Sequence, residues 1–142
     1  MALLNYTTKI DVEKTISEIQ RSLAKHGASA ILTDYEDGYV KAISFKVPIN
    51  GNPIGFRLPT DWQPVLELLK EDRKVPRSLV TQDQAVRVAW RIVKDWVEAQ
   101  MAIIDTRMVS MEDVFLPYAV TKNGLTLAES FKAGSNLLEG GN

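Results

Sequence analysis

The organisation of the chain depends most on one stretch, residues 82–105, which read QDQAVRVAWRIVKDWVEAQMAIID. Thr81 and Gln84 have the spacing of a capping box, so the pattern predicts a helix from Gln82 to Asp105. At 1.5 Å per residue this helix would be ~36 Å long. Its apolar residues fill an arc of roughly 200°, and they are Ala85, Val86, Val88, Ala89, Ile92, Val93, Trp96, Val97, Ile103 and Ile104. An arc this wide needs cover on several sides, so the helix is either central or packed against a second copy of the chain.

Upstream of that helix, residues 11–26 carry a narrower apolar stripe. The stripe repeats at spacings of four, three and four, through Val12, Ile16, Ile19 and Leu23. Asp11 is a suitable N-cap, and Gly27 a suitable left-handed terminator. The pattern predicts a surface helix that packs on one side only.

The next part of the chain changes period. Residues 29–35, 39–47 and 54–58 alternate or run apolar and are rich in β-branched and aromatic residues. Asp-Gly at positions 37–38 and Asn-Gly at positions 50–51 separate them, and these dipeptides are strong hairpin signals. The pattern predicts a three-stranded antiparallel meander. Its core face is expected to carry Ile43, Phe45, Val47, Ile54, Phe56 and Leu58.

The remaining segments complete a predicted α+β domain over residues 1–133. A capping-box pattern at residues 60–63 opens a helix that runs to about Asp72, before a charged connector over 71–78. After the long helix, Ser110 caps a short helix that Pro117 ends, and residues 118–127 suggest a small C-terminal hairpin. Residues 134–142 are expected to be a frayed tail.

Composition excludes several classes of protein. Of the 142 residues, 45% are hydrophobic and 25% are charged, which argues against disorder, collagen and coiled coil. Seventeen Lys and Arg against eighteen Asp and Glu leave a net charge of -1, so any site for a polyanion must be local. The absence of cysteine excludes disulfides and thiolate chemistry. With no signal-peptide pattern and no apolar run of ~20 residues, we expect a cytoplasmic protein without membrane contact.

The residues available for catalysis are few. His26 is the only histidine, so paired histidine ligands and most nucleophile–base triads lack parts. Asp34, Glu36 and Asp37 form the one tight acidic cluster, and a solvated hairpin tip explains them more simply than a site for a hard cation. We therefore predict no catalytic residues, metal or cofactor. A carboxylate- and metal-dependent phosphodiesterase or nuclease stays the alternative.

Basic residues concentrate in the middle of the chain. On the long helix each base has an acid within one turn, which predicts a ladder of the pairs Asp83–Arg87, Arg91–Asp95 and Lys94–Glu98. Arg73, Lys74 and Arg77 have no such partners and lie in the connector. These three are the better candidates for contact with a polyanion, although solubility alone also explains exposed bases in a loop.

Two further sets of residues are candidates for binding. Arg57 should point away from the core, and if Tyr35 or Tyr39 shares its face they form a platform that stacks bases or nucleotides. Tyrosines beside a turn are also ordinary strand formers. Gln100 lies at the centre of the apolar arc of the long helix, one turn from Trp96, and an unpaired amide there would cost about 1–3 kcal/mol. The amide must therefore find a partner in the core, in a ligand pocket or in the same residue of another subunit. We predict a homo-oligomer whose contact lies at or near Trp96 and Gln100.

Most of the chain contributes to a family resemblance. The segments AWRIVKDWVEAQMA (89–102), VFLPY (114–118), GLTL (124–127), ISFKV (43–47) and IGFRLP (54–59) resemble a family of small phage and prophage proteins. The resemblance implies a setting, namely the host cytoplasm and a role in DNA metabolism or antagonism of host defence. It carries over no catalytic residues.

Two classes of function therefore compete. The first is a non-catalytic binding protein that engages a nucleic acid, a nucleotide signal or a host protein. The second is the metal-dependent enzyme, for which only the acidic hairpin argues.

Overall fold

The computed structural model describes residues 3–134. Within that range the chain is α+β, as predicted: one helix comes first, a three-stranded sheet follows, and the remaining helices come after the sheet. The elements are α1 (Val12–Lys25), β1 (Ala30–Glu36), β2 (Tyr39–Ile49), β3 (Asn52–Arg57), α2 (Trp62–Glu71), α3 (Gln82–Asp105), α4 (Met111–Phe115) and α5 (Leu127–Lys132). Apart from Gly134, the predicted frayed tail lies outside the described residues.

The sheet is the predicted antiparallel meander, with β2 between β1 and β3. Asp37 and Gly38, in the first turn, have φ angles of 52° and 82°, and Asn50 and Gly51, in the second, have 52° and 81°. Two consecutive positive φ angles define the type I′ turn, whose twist matches that of the flanking strands. The two dipeptides recognised in the sequence therefore form both hairpins.

The main core lies between one face of the sheet and the helices α1 and α3. Phe45 and Phe56 stack with their ring centroids 5.3 Å apart, and Phe115 meets Phe45 edge to face at 5.6 Å. Trp90 of α3 is fully buried, and its indole Nε1 donates a hydrogen bond of 3.1 Å to the Val40 carbonyl oxygen. That bond satisfies the only polar atom of the side chain and joins the long helix to the central strand.

The apolar arc of α3 is covered within the chain. Helices α1 and α2 pack along it, and the sheet and α4 cover the rest of its buried surface. A second, smaller cluster of Leu69, Val75 and Ala85 holds α2 and the connector against the same helix. Of the two arrangements that the sequence left open, the structure has the central helix.

Two of the predicted helix starts differ in detail. The N-cap of α2 is Asp61 and not Thr60, because the Asp61 carboxylate accepts the Gln63 backbone N–H at 3.0 Å. Thr81 caps α3 by accepting from the Gln84 backbone N–H at 3.1 Å, but the Gln84 side chain does not return to the cap. It is buried and binds elsewhere, so only half of that capping box forms.

The predicted C-terminal hairpin is reduced to isolated bridges. Val120 pairs with Thr126 across a turn, and Ala119 pairs with Phe56 at the edge of β3. The helix α5 then begins, at a position where no helix was predicted. Its start is a complete capping box, in which the Thr126 side chain accepts the Glu129 backbone N–H and the Glu129 carboxylate accepts the Thr126 backbone N–H. These residues cap a helix because Thr and Glu stand three positions apart.

Candidate functional site

The connector between α2 and α3 is a folded loop. Its apolar anchor is Val75, which is buried against Leu69 and Ala85. Asp72 shapes the turn, because its carboxylate accepts the Lys74 backbone N–H at 2.9 Å and its carbonyl accepts the Val75 N–H at 3.1 Å. A short 3-10 turn, Arg77–Leu79, then leads into the cap of α3. The loop backbone is thus positioned by buried contacts, while its basic side chains stay outside.

The predicted basic residues of the connector all lie at the surface. Arg73, Lys74 and Arg77 are exposed, and none of them forms an ion pair within residues 3–134. Arg73 and Arg77 line one shallow depression, which we call the basic depression, together with Lys70, Asp72, Val75 and Pro76. Lys74 lies between Arg73 and Val75 in the chain, outside that lining. The structure therefore brings two of the three predicted residues together and adds Lys70, which was not among the predicted binding residues.

An apolar groove adjoins the basic depression. It is lined by Leu3, Leu4, Leu68, Leu69, Glu71, Asp72, Arg73 and Val75, so Arg73 belongs to both surfaces. Leu4 is 65% exposed and Leu68 is 47% exposed, although both are large aliphatic side chains. The N-terminal segment supplies one wall and α2 the other. A ligand that contacts both surfaces would meet guanidinium groups on one side and aliphatic carbon on the other, with the carboxylates of Glu71 and Asp72 also in the lining.

The predicted platform of Arg57 and tyrosines does not assemble. Arg57 donates to the Gly124 carbonyl at 3.1 Å and lies 3.4 Å from the Glu129 carboxylate. Tyr39 is separated from Ser44, the cross-strand partner of Arg57, by five residues of β2, or roughly 16 Å.

The two tyrosines lie near the hairpin tip. Tyr39 donates its hydroxyl proton to Asp83 of α3, and this hydrogen bond raises the pKa of the Tyr39 hydroxyl. Tyr35 is 67% exposed near the end of β1. Its cross-strand partner is the buried Val40, so it belongs to the helix side of the sheet, whereas Arg57 belongs to the other side.

The acidic hairpin tip does not gather its carboxylates. Glu36 forms an ion pair of 2.7 Å with Lys41, and this pairing raises the pKa of the Lys41 ammonium. Asp34 and Asp37 are exposed on either side of it. Over the part of the chain that the structure describes, no group of three or more His, Asp or Glu side chains is arranged to hold a metal ion.

The single histidine joins two helix ends. His26 Nδ1 lies 2.8 Å from the Ser22 carbonyl oxygen, and Nε2 lies 2.9 Å from the Asp105 carboxylate. Both ring nitrogens therefore face oxygen atoms of neighbouring groups. The residue ties the end of α1 to the end of α3, which is a structural role.

The ladder on α3 forms at one of its three predicted pairs. Lys94 meets Glu98 at 2.9 Å, and this contact raises the pKa of the Lys94 ammonium. Arg91 instead pairs with Glu18 of α1 at 3.1 Å. Asp95 accepts a hydrogen bond of 2.9 Å from the Asn5 amide. Neighbouring elements replace the local partners because α1 and the N-terminal segment pack against this face of the helix.

The residues predicted for an oligomer contact are largely engaged within the chain. The Trp96 ring meets Phe115 and Tyr118 edge to face, at 5.4 Å and 5.5 Å. Gln100 is half-buried, so water reaches part of its surface. Contact of Trp96 and Gln100 with a second copy stays a prediction, and burial of the α3 arc no longer requires it.

Gln84 has a structural role that its place in the capping-box pattern did not predict. Its Nε2 donates to the carbonyl oxygens of Tyr6 and Thr8 at 2.9 Å and 3.0 Å, and its Oε1 accepts from Arg87 at 3.2 Å. It attaches the N-terminal segment, which forms a wall of the apolar groove, to α3. The sequence signal was its position among apolar residues in the first turn of the helix.

Comparison with protein families, with curated proteins and with solved structures found no match to this chain. No helix among residues 3–134 is both long enough and apolar enough to cross a membrane.

Proposed function

We propose that this protein binds a polyanionic ligand at the basic depression and the adjoining apolar groove and does not catalyse a reaction on it. One observation carries the proposal: Arg73 and Arg77 lie exposed around one depression, on a loop whose backbone is held by the buried Val75. These guanidinium groups form no ion pair with a carboxylate among the described residues, and the loop backbone that carries them is held in place. Such groups are suited to phosphate, which guanidinium contacts in a bidentate way.

The composition of the two surfaces narrows the class of ligand. Lys70, Arg73, Lys74 and Arg77 supply positive charge, but Glu71 and Asp72 lie among them, so the local field is moderate. A short phosphate-bearing ligand with an apolar or aromatic part suits this pattern better than a long duplex. A nucleotide or a short single-stranded nucleic acid has both parts, because every base has an apolar face.

The setting of this activity is part of the proposal. The resemblance to phage and prophage proteins favours the host cytoplasm, where such a ligand would belong to DNA metabolism or to a defence signal. A host protein with an acidic surface is the other partner that the basic depression could bind, because opposite charges attract. We also expect the chain to associate with itself.

The test is a change in the salt dependence of binding. The probe is a fluorescein-labelled single-stranded DNA oligonucleotide, and the variant replaces Arg73, Lys74 and Arg77 together with Ala. We expect weaker binding, and a slope of log affinity against log salt that is smaller by about 2, because each lost phosphate contact on a single strand removes about 0.7. The free energy of unfolding should change by less than about 0.5 kcal/mol, since these side chains are exposed.

The control is a variant with the same loss of charge on another surface. Lys14, Arg21 and Lys25 are exposed on α1, and their joint replacement with Ala should leave the slope unchanged. If both triple variants lose affinity equally, binding follows net charge and the site is refuted. If the wild type binds no oligonucleotide even at low salt, nucleic acid is excluded as the ligand.

A separate assay, cleavage of the oligonucleotide, tests the alternative that the protein is a metal-dependent phosphodiesterase or nuclease. The same oligonucleotide is incubated with Mg²⁺ or Mn²⁺, and the product is analysed on a denaturing gel. We expect the intact probe. Cleavage that is lost on replacing Asp34 with Asn and Glu36 with Gln would contradict the binding proposal and place a metal site at the first hairpin.

A further inference from the structure

The outer edge of β1 is open. The strand order is β1-β2-β3, so β1 pairs on one side only, and no other strand of residues 3–134 covers its outer edge. The far edge of the sheet is different, because Val120 donates to the Gly55 carbonyl and Ala119 bridges to Phe56 of β3. A seven-residue edge strand in which alternate residues have free N–H and C=O groups is a template for another strand.

The register of the sheet shows which backbone groups are free. Leu58 donates to the Ile43 carbonyl oxygen at 3.0 Å, so Ile43 and alternate residues of β2 direct their backbone groups towards β3. The intervening β2 residues, Ala42, Ser44 and Lys46, direct their backbone groups towards β1. Their partners there are Asp34, Leu32 and Ala30, respectively. By alternation, the backbone groups that point outwards from β1 are those of Ile31, Thr33 and Tyr35.

We propose that this edge pairs with the same edge of a second copy, antiparallel and with Thr33 opposite Thr33. In this register Ile31 of each copy lies opposite Tyr35 of the other, so all three outward-facing residues exchange both of their hydrogen bonds. A shift by two residues in either direction leaves one of them on each copy without a partner. The result is a continuous sheet of twice three strands around a two-fold axis.

The side chains on the helix side of the sheet fit this register. Ile31 is half-buried, and Tyr35 is largely exposed in the single chain. In the dimer the Tyr35 ring would lie directly against Ile31 of the second copy, on both sides of the axis. Aromatic and β-branched residues are a favourable cross-strand pair. The pairing therefore covers an exposed aromatic side chain that has no role in the core.

The charges on the opposite face are also complementary. Glu36 of the second copy would lie opposite Ala30, and Ala30 lies beside Lys46 in the same row of the sheet. Lys46 forms no ion pair within the described residues, and the Ala30 methyl group is small enough for the Lys46 side chain to pass over it. At each end of the interface, Glu36 of one copy thus lies in the same cross-strand row as Lys46 of the other copy. This self-complementarity favours a second copy over an unrelated extended peptide.

The first test is a cysteine cross-link, which is unambiguous because the 142-residue sequence has no cysteine. Leu32 and Asp34 are both exposed and lie opposite each other across the proposed axis, in a non-hydrogen-bonded pair with an expected Cα separation of about 4.5 Å. Leu32→Cys mixed with Asp34→Cys should form a disulfide dimer rapidly under mild oxidation. Either variant alone should not, because its two cysteines lie on a diagonal about 7–8 Å apart.

The second test is the charge at the end of the interface, measured by sedimentation. Wild type should approach twice the chain mass of 15.9 kDa as its concentration rises. Ala30→Glu places two acids opposite each other at both ends and should raise the dimer dissociation constant about fivefold, whereas Ala30→Lys should lower it. Adding Glu36→Lys to Ala30→Glu should restore dimerisation.

The control separates this surface from the face of α3. Gln100→Lys changes the other contact predicted for a second copy, and if the β1 edge forms the dimer it should leave the dissociation constant unchanged. A strictly monomeric wild type, equal cross-linking of the single variants and the mixture, or a dimer broken by Gln100→Lys would each overturn the proposal. Circular dichroism of the variants at Ala30, Leu32, Asp34 and Glu36 should match the wild type, since these residues are exposed, and that of Gln100→Lys is measured to verify that the fold is kept.

Discussion

Replacing Gln84 with Met tests how the N-terminal segment is held against α3. Met has nearly the same length and shape, so the change removes hydrogen bonds and leaves little cavity. The wild-type amide is only 3% exposed and makes contacts with three partners, the carbonyls of Tyr6 and Thr8 and the Arg87 guanidinium. All three bonds are lost in the variant.

The size of the effect follows from these contacts. A net contribution of about 1 kcal/mol per bond gives about 3 kcal/mol, and the gain from burying a thioether in place of an amide offsets part of that sum. The carbonyl groups of Tyr6 and Thr8 belong to half-buried residues, so water can replace some of the loss. We therefore expect the free energy of unfolding to fall by about 2 kcal/mol, or Tm by about 6–8 °C for a domain of this size.

Urea unfolding followed by tryptophan fluorescence measures the change, because Trp90 is in the main core. Hydrogen exchange gives a local readout, since the Thr8 amide donates to the Asn5 carbonyl only while the segment is folded. That amide should lose protection in the Gln84→Met variant more than the amides of the sheet.

The matched control is Gln82→Met, two residues earlier in the same helix. Gln82 is half-buried and makes no side-chain hydrogen bond within the described residues, so the loss should be below about 0.5 kcal/mol. If the two variants unfold at the same urea concentration, the buried amide contributes nothing and the reasoning is refuted.

Two further predictions concern charged groups. Glu18→Ala removes the shared partner of Arg91 and Lys94, which are 12% and 14% exposed, and should lower the free energy of unfolding by about 1–2 kcal/mol in urea titrations. Glu129→Gln concerns pH: the Thr126 backbone N–H that the Glu129 carboxylate accepts lowers the pKa of that carboxyl below its ordinary value of 4.5. A carboxyl whose pKa is lower in the folded chain than in the unfolded chain stabilises the fold at pH values above the unfolded pKa. This stabilisation is lost as the pH falls through the lower, folded-state pKa. Wild type should therefore be more stable than the variant at pH 7 and should lose that advantage near pH 3. A gap between the two unfolding curves that is the same at both pH values would contradict this assignment.

The candidate site was predicted from sequence only in part. The exposure of Arg73, Lys74 and Arg77 followed from their position in a charged loop without helical partners. That Arg73 adjoins an apolar groove did not follow, because Leu3 and Leu4 are distant in sequence and reach α2 only through tertiary packing. The tyrosine and arginine platform did not assemble because the register of the sheet places Tyr39 away from Arg57 along β2 and Tyr35 on the opposite face, after a register shift between Asp34 and Tyr35.

The elements themselves were determined by local sequence. The long helix runs from Gln82 to Asp105 as predicted, and both hairpins turn at the dipeptides that favour positive φ. Periodicity, capping and turn preference act within a few residues, so one sequence contains all the information they need.

The partners of polar side chains were decided by the tertiary structure alone. Arg91 had an acid four residues away on its own helix, yet it pairs with Glu18, because α1 packs against that face and shields the pair from water. Gln84 had the spacing of a capping residue, yet it binds the N-terminal segment. A hydrogen bond or ion pair is stronger where burial excludes water, and burial depends on which distant elements meet, a choice that no short stretch of sequence contains.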